Sequence, residues 1–193
     1  MTDSNRLMDT WSLAMERARA FKDGFGLVGY GVVELIDSRG RLIEVQDFAN
    51  LITDAGDLYY ATRGIAAVAP SATADATKVT GMKLGTGTTA AAKSGAGGAL
   101  VTYLSASNVA FDATFPSISN LGAGLGVNAV YKTTWGAGVA TNAAITEAVI
   151  VNDSATNATS TAANSISRIV FTAVNKGASD TLAITWNHKF LGA

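Results

Sequence analysis

The sequence contains no cysteine. That excludes disulfides, thiolate metal sites and cysteine nucleophiles together, and leaves the redox compartment open. Histidine is nearly missing too: His188 is the only one. Charged residues make up 15% of the chain, against about 25% in an average globular protein. A surface with so few charges is poorly solvated, so much of it is expected to be covered by neighbouring subunits. The net charge of −1 argues against a nucleic-acid partner, which would call for a basic patch. No apolar run reaches the roughly 18 residues of a membrane-spanning helix, so no membrane partner is expected. The N-terminus, MTDSNRLMDTW, lacks a basic region followed by an apolar run, so no secretory signal is expected.

What remains is β-forming sequence rich in Ser, Thr, Asn, Ala and Gly. The 193 residues suffice for one domain with a core, or one domain plus an arm. Residues 4–22 read as an amphipathic helix. Leu7, Trp11, Ala14, Met15, Ala18 and Phe21 recur at helical spacing, Asp3 or Ser4 can cap it, and Gly24 can end it. Its stripe packs either on its own domain or on a neighbour. A hairpin follows, with strands Leu27–Asp37 and Arg41–Phe48 about the turn Ser38-Arg39-Gly40. Val28, Tyr30, Val32, Glu34 and Ile36 share one face of the first strand. Thr53–Arg63 reads as a short helix capped by Thr53 or Asp54.

Further strands are expected at Val79–Leu84, Ala99–Leu104, Val109–Phe115, Val127–Trp135, Ile145–Val151, Ile166–Ala173 and Thr181–His188. The last three have the two-residue period of half-buried strands. In the final one Leu182, Ile184 and Trp186 share a face. Small or polar connections lie at 65–78, 85–98, 117–126 and 152–164. About nine strands and two helices predict a mainly β fold: an antiparallel β-sandwich or jelly-roll-like domain at 25–193, with an N-terminal helical arm at 1–24 and one short internal helix.

Sites of chemistry are few. Gly85-Thr86-Gly87-Thr88-Thr89 lacks the spacing and the Gly-Lys-Ser/Thr ending of a phosphate loop, so it reads as a flexible turn. His188 has no nucleophile elbow or metal-ligand pattern to act with, and reads as a strand-end or interface histidine. Asp54 and Asp57 could hold a cation, but acids at a helix N-terminus are expected anyway. Trp11, Trp135 and Trp186 sit on amphipathic stripes, as core residues do. No catalytic residue, cofactor or metal site is expected.

Four segments carry a resemblance: Asn50–Tyr60 (NLITDAGDLYY), Met82–Ala90 (MKLGTGTTA), Ile145–Asn152 (ITEAVIVN) and Ile166–Ala193 (ISRIVFTAVNKGASDTLAITWNHKFLGA). In their order and spacing they resemble a family of structural proteins from tailed bacteriophages, from Asn50 to the end of the chain. Relatives of this kind are minor tail, fibre-associated or head-decoration proteins. The resemblance implies a non-enzymatic virion component assembled in the host cytoplasm, and it carries over no active-site residue. The expectation is a capsid decoration (cement) protein on the major capsid protein lattice, as a homo-oligomer with a trimer favoured. Leu7, Trp11, Met15 and Phe21 are the candidate partner contacts. The alternative is a minor tail or fibre-associated protein that binds a receptor or glycan through its polar loops. A small hydrolase is the third reading, and it needs His188 or a pair of carboxylates in a shared pocket.

Overall fold

The computed structural model describes residues 26–65, 78–123, 125–152 and 164–191. The expected N-terminal helix, with Leu7, Trp11, Met15 and Phe21, lies outside them, as does most of the loops at 65–78 and 152–164. The described chain is mainly β. Its strands are β1 (Gly26–Ile36), β2 (Leu42–Ile52), β3 (Gly81–Gly85), β4 (Val109–Ala110), β5 (Ser117–Asn120), β6 (Val127–Trp135), β7 (Asn142–Val151), β8 (Ser165–Lys176) and β9 (Thr181–Leu191), with one α-helix, α1 (Asp54–Ile65). All nine strands join one antiparallel sheet in the order β4-β3-β7-β8-β2-β1-β9-β6-β5. The sheet curls into a half-barrel.

The curl has a visible cause. β1 and β2 pair along nearly their whole length, but β2 meets β8 only at Leu51–Arg168 and Ile52–Ser167. The remainder of the two strands splays apart. Gln46 spans the gap with its side chain, donating to Thr172 O at 2.9 Å and accepting from Thr172 N at 3.0 Å. One core fills the concavity. It contains Trp135, Trp186, Tyr131, Leu182 and Ile184 from one half, and Met82, Leu84, Ile145, Ile150 and Ile169 from the other.

The β1–β2 turn follows its sequence. The Asp37 carboxylate accepts from the amides of Arg39 and Arg41, both at 2.9 Å, and Gly40 takes the left-handed φ of 76°. Helix α1 is capped by Thr53, whose hydroxyl accepts from Gly56 N at 3.0 Å and donates to Ser165 O at 2.5 Å. Gly56 brings the helix against β8, since a Cβ there would lie 2.1 Å from Ile166 O.

Four expectations are corrected. Ala99–Leu104 is not a strand; only Tyr103 makes an isolated bridge, to Gly85. Val109–Phe115 shortens to Val109–Ala110, because Phe111 N and Asp112 N turn to Thr80 O and Lys132 O. The glycine-rich connection 117–126 contains strand β5. Finally, Ile145–Val151 is not half-buried: every residue of it is buried, as are Ser165–Arg168 and Ile169. A period of two is therefore present in the sequence although both faces of these strands are covered.

Candidate functional site: two buried polar clusters

The second cover on β7 and β8 is the segment from Gly87 to Thr102. It is held by a buried ion pair. Pairing of Glu147 with Val170, and of Val149 with Arg168, puts Glu147 and Arg168 on one face of neighbouring strands. Both side chains are 0% exposed, and the guanidinium Nη2 lies 2.8 Å from Glu147 Oε2. The carboxylate also accepts from the backbone: Gly87 N at 2.8 Å and Thr102 N at 2.9 Å reach Oε1, and Val101 N reaches Oε2 at 3.1 Å. The guanidinium donates onward to Thr89 O at 2.9 Å and Gly97 O at 3.2 Å. Two charges out of water would be costly alone. Here almost every lone pair and N–H that they expose is used.

The glycines of the Gly85-Thr86-Gly87 turn make room for this. A Cβ on either would come 2.5 Å from Glu147 Oε1. The turn is thus required for carboxylate approach, and the loop that reads as flexible by composition is pinned at three points. The residues that make the pair are the Glu of the EAVIVN strand and the Arg of the ISRIVF strand. Three of the four segments that carry the phage resemblance meet at this cluster.

The second cluster lies in the concavity under α1. His188 is fully buried on β9. Asn50 Nδ2 lies 3.1 Å from His188 Nε2 and also donates to the Ser167 hydroxyl. Nδ1 meets the Tyr60 hydroxyl, which lies 3.0 Å from the Tyr131 hydroxyl. Both ring nitrogens thus have polar partners, so the neutral ring can donate through one and accept through the other. Aromatic edges enclose the imidazole, with Tyr60, Tyr131 and Trp186 ring centroids at 5.7, 5.3 and 6.3 Å. Burial pushes His188 down to about 3 and Tyr131 up to about 12. The cluster is therefore neutral over the whole ordinary pH range.

Glycine again opens the space. Gly29 pairs with both Asn50 and His188, and a Cβ there would overlap the Asn50 amide. Gly31 gives the same room to the Phe48 ring, which packs edge-on against Trp186 at 5.1 Å. The face of β1 that holds Gly29, Gly31, Val33 and Leu35 is the inner one, so Tyr30, Val32, Glu34 and Ile36 point outward.

The residues singled out in the sequence fall as follows. Trp135 and Trp186 are core residues at 0% exposure. His188 is corrected from a strand-end or interface residue to an interior one. Asp54 and Asp57 face Lys93, which pairs with Asp57 and approaches Asp54 at 4.0 Å. Among the described residues no group of three or more His, Cys, Asp or Glu side chains could hold a metal ion. None of their helices is long and apolar enough to cross a membrane. Glu147 and Arg168 were missed as a pair. The available signal was one acid and one base, each embedded in an apolar strand.

Chemically, both clusters hold structure together. Glu147 has its oxygens committed to backbone amides and a guanidinium. His188 has its ring nitrogens committed to Asn50 and Tyr60. Comparison with known proteins gave no match: no family model, curated protein or solved structure is significantly similar to the chain.

Proposed function

We propose that this chain is a non-enzymatic structural protein of a tailed-phage virion, acting as a capsid decoration (cement) protein on the major capsid lattice. The observation that carries the reading is the convergence of the resemblance motifs on the Glu147–Arg168 cluster. Those motifs build a scaffold: they hold a loop to a sheet through the Glu147 carboxylate, whose oxygens are taken up by backbone amides and the Arg168 guanidinium. Low charge and small side chains support the same reading, because they suit close packing of repeated copies.

In this reading the two halves of the curled sheet act as the layers of a β-sandwich. The N-terminal arm, through Leu7, Trp11, Met15 and Phe21, reaches a capsid subunit or a neighbouring copy. Function is then energetic: each copy buries surface across junctions between capsid subunits and resists internal pressure.

The test is to locate the protein in intact particles by imaging and to identify its neighbours by crosslinking. Density over capsomer junctions, with crosslinks to the major capsid protein, is the expected result. Density confined to the tail moves the protein to the minor tail or fibre class, and absence from particles overturns the virion reading. Deleting residues 1–24 should abolish particle binding while the β domain stays folded.

A further inference from the structure

The outward face of the sheet is not evenly open. On β2 it is bare: Ala49 and Asp47 are exposed, and Val45 is 47% exposed. Their partners on β1, which are Tyr30, Val32 and Glu34, are partly buried. On β9 and β6 the same face is closed. Lys189 and the residue it pairs with, Asn128, are each 7% exposed. The Lys189 ammonium lies 4.8 Å from the centre of the Tyr30 ring. Asn128 donates to Asn187 Oδ1 at 2.9 Å, but its own Oδ1 is buried with no hydrogen-bond partner.

These are signs of a cover. A lysine on an open sheet face keeps its ammonium in water, and a buried amide oxygen calls for a donor. Among the described residues, the elements packed on the sheet lie elsewhere: α1 is on the inner face, and the Gly87–Thr102 segment is on β7 and β8. The chain leading into β1 starts at the right place. β1 begins at Gly26, opposite Leu191 and two residues along β9 from Lys189. The loop at 152–164 joins β7 and β8, three or more strands from β9, and the loop at 65–78 runs from α1 to β3.

We infer that residues 1–25 fold back over the outward face of β1, β9 and β6 as the amphipathic helix their spacing predicts, with Leu7, Trp11, Met15 and Phe21 pressed on the sheet. The dimensions agree. A helix over 4–22 is about 28 Å long and about 10 Å wide. β1 has 11 residues, or about 36 Å, and strands lie about 4.8 Å apart. Laid back along β1, such a helix covers most of that strand's length and about two to three strands, which leaves β2 bare. Arg17, Arg19 and Lys22 bring N–H donors to the side of the sheet where Asn128 Oδ1 has none. Tethering selects this occupant over a second copy or another protein, because an attached segment meets its site at an effective concentration on the order of millimolar. The inference concerns the free chain and does not rest on the virion reading, in which the same stripe has to leave this face to reach a neighbour.

The test uses the full chain. Lys189 should be acylated by an amine reagent at least about tenfold more slowly than the exposed Lys93, with the sites resolved by mass spectrometry. Trp11→Asp, outside the core of the sheet, should bring Lys189 to within about threefold of Lys93 at an intact β fold. The absence of cysteine allows a second measurement. Ser12 flanks the helical stripe, and Asp47 is exposed beside Val32. A Ser12→Cys, Asp47→Cys chain mixed with isotopically labelled copies should be linked within single chains by a flexible bismaleimide. Ser12→Cys paired with Ser105→Cys, in the turn that Trp135 reaches from the inner face, should not. Lys189 as reactive as Lys93 in the wild type overturns the inference, as does slow acylation that Trp11→Asp leaves unchanged. So do links formed only between copies, which would make a second chain the cover, or links through Ser105→Cys as fast as through Asp47→Cys.

Discussion

The Glu147–Arg168 cluster and the His188 cluster sit in the same sheet, each around fully buried side chains, yet one is an ion pair and the other neutral. The first joins a loop to the outer face of β7 and β8. The second joins α1 to the inner face of β9 and β6. The difference follows from the partners available. Backbone amides and carbonyls of an irregular segment need acceptors and donors, and a carboxylate–guanidinium pair offers many of each. A helix packed on a sheet has its own backbone satisfied, so hydroxyls and an imidazole suffice to orient it.

The charged cluster should be the more fragile of the two. Arg168→Met leaves Glu147 buried without its counter-ion and is expected to cost about 3–5 kcal/mol. That lowers Tm by roughly 6–20 °C, readable by calorimetry. Gly87→Ala should come next, at about 1–3 kcal/mol, because its methyl would press on the carboxylate. A Gly87→Ala protein as stable as the wild type would mean that the loop is not held this way.

The neutral cluster should respond to acid. His188 is held near 3 when folded, below its ordinary 6.5, so the unfolded chain takes up the proton first. The stability from a neutral His188 is complete above pH 6.5 and is lost as pH falls from there toward 3. Between pH 7 and pH 5, before most carboxylates titrate, the loss should be about 2 kcal/mol. Urea unfolding across that range measures it, and His188→Gln should flatten the profile. An unchanged slope in the variant would move the acid sensitivity elsewhere. The smallest effect is expected at Gln46, between the splayed strands. Gln46→Ala should cost about 0.5–1.5 kcal/mol and leave both clusters unchanged.

The same contrast explains what could be read from the sequence. β6 was legible to its ends, and so was the inner stripe Leu182, Ile184 and Trp186, because one side faces the core and the pattern alternates. Ala99–Leu104 misled because its apolar spacing suits a strand. In the fold, the amides of Val101 and Thr102 go to a carboxylate 45 or more residues away instead of to a ladder. β5 was hidden by its glycine-rich surroundings and by its shortness. Neither cluster was legible as a cluster. Glu147 and Arg168 occupy alternating positions that look solvent-facing until a loop folds over them. His188 continues the inner stripe of β9, but Tyr60, Asn50 and Gly29 join it only through the helix and strand pairings. Gly85, Gly87, Glu147 and Arg168 all lie in the segments quoted for their resemblance, but nothing in those segments says why glycines, acid and base occur together.

Amide hydrogen exchange on two variants tests the division of labour between the clusters most directly. In Glu147→Gln, the amides of Gly87, Val101 and Thr102 should lose protection while those of α1 keep theirs. In His188→Gln the order should reverse, with α1 loosened and the loop amides unchanged. Equal loosening of both regions in both variants, or full protection of the three loop amides in Glu147→Gln, would contradict the account.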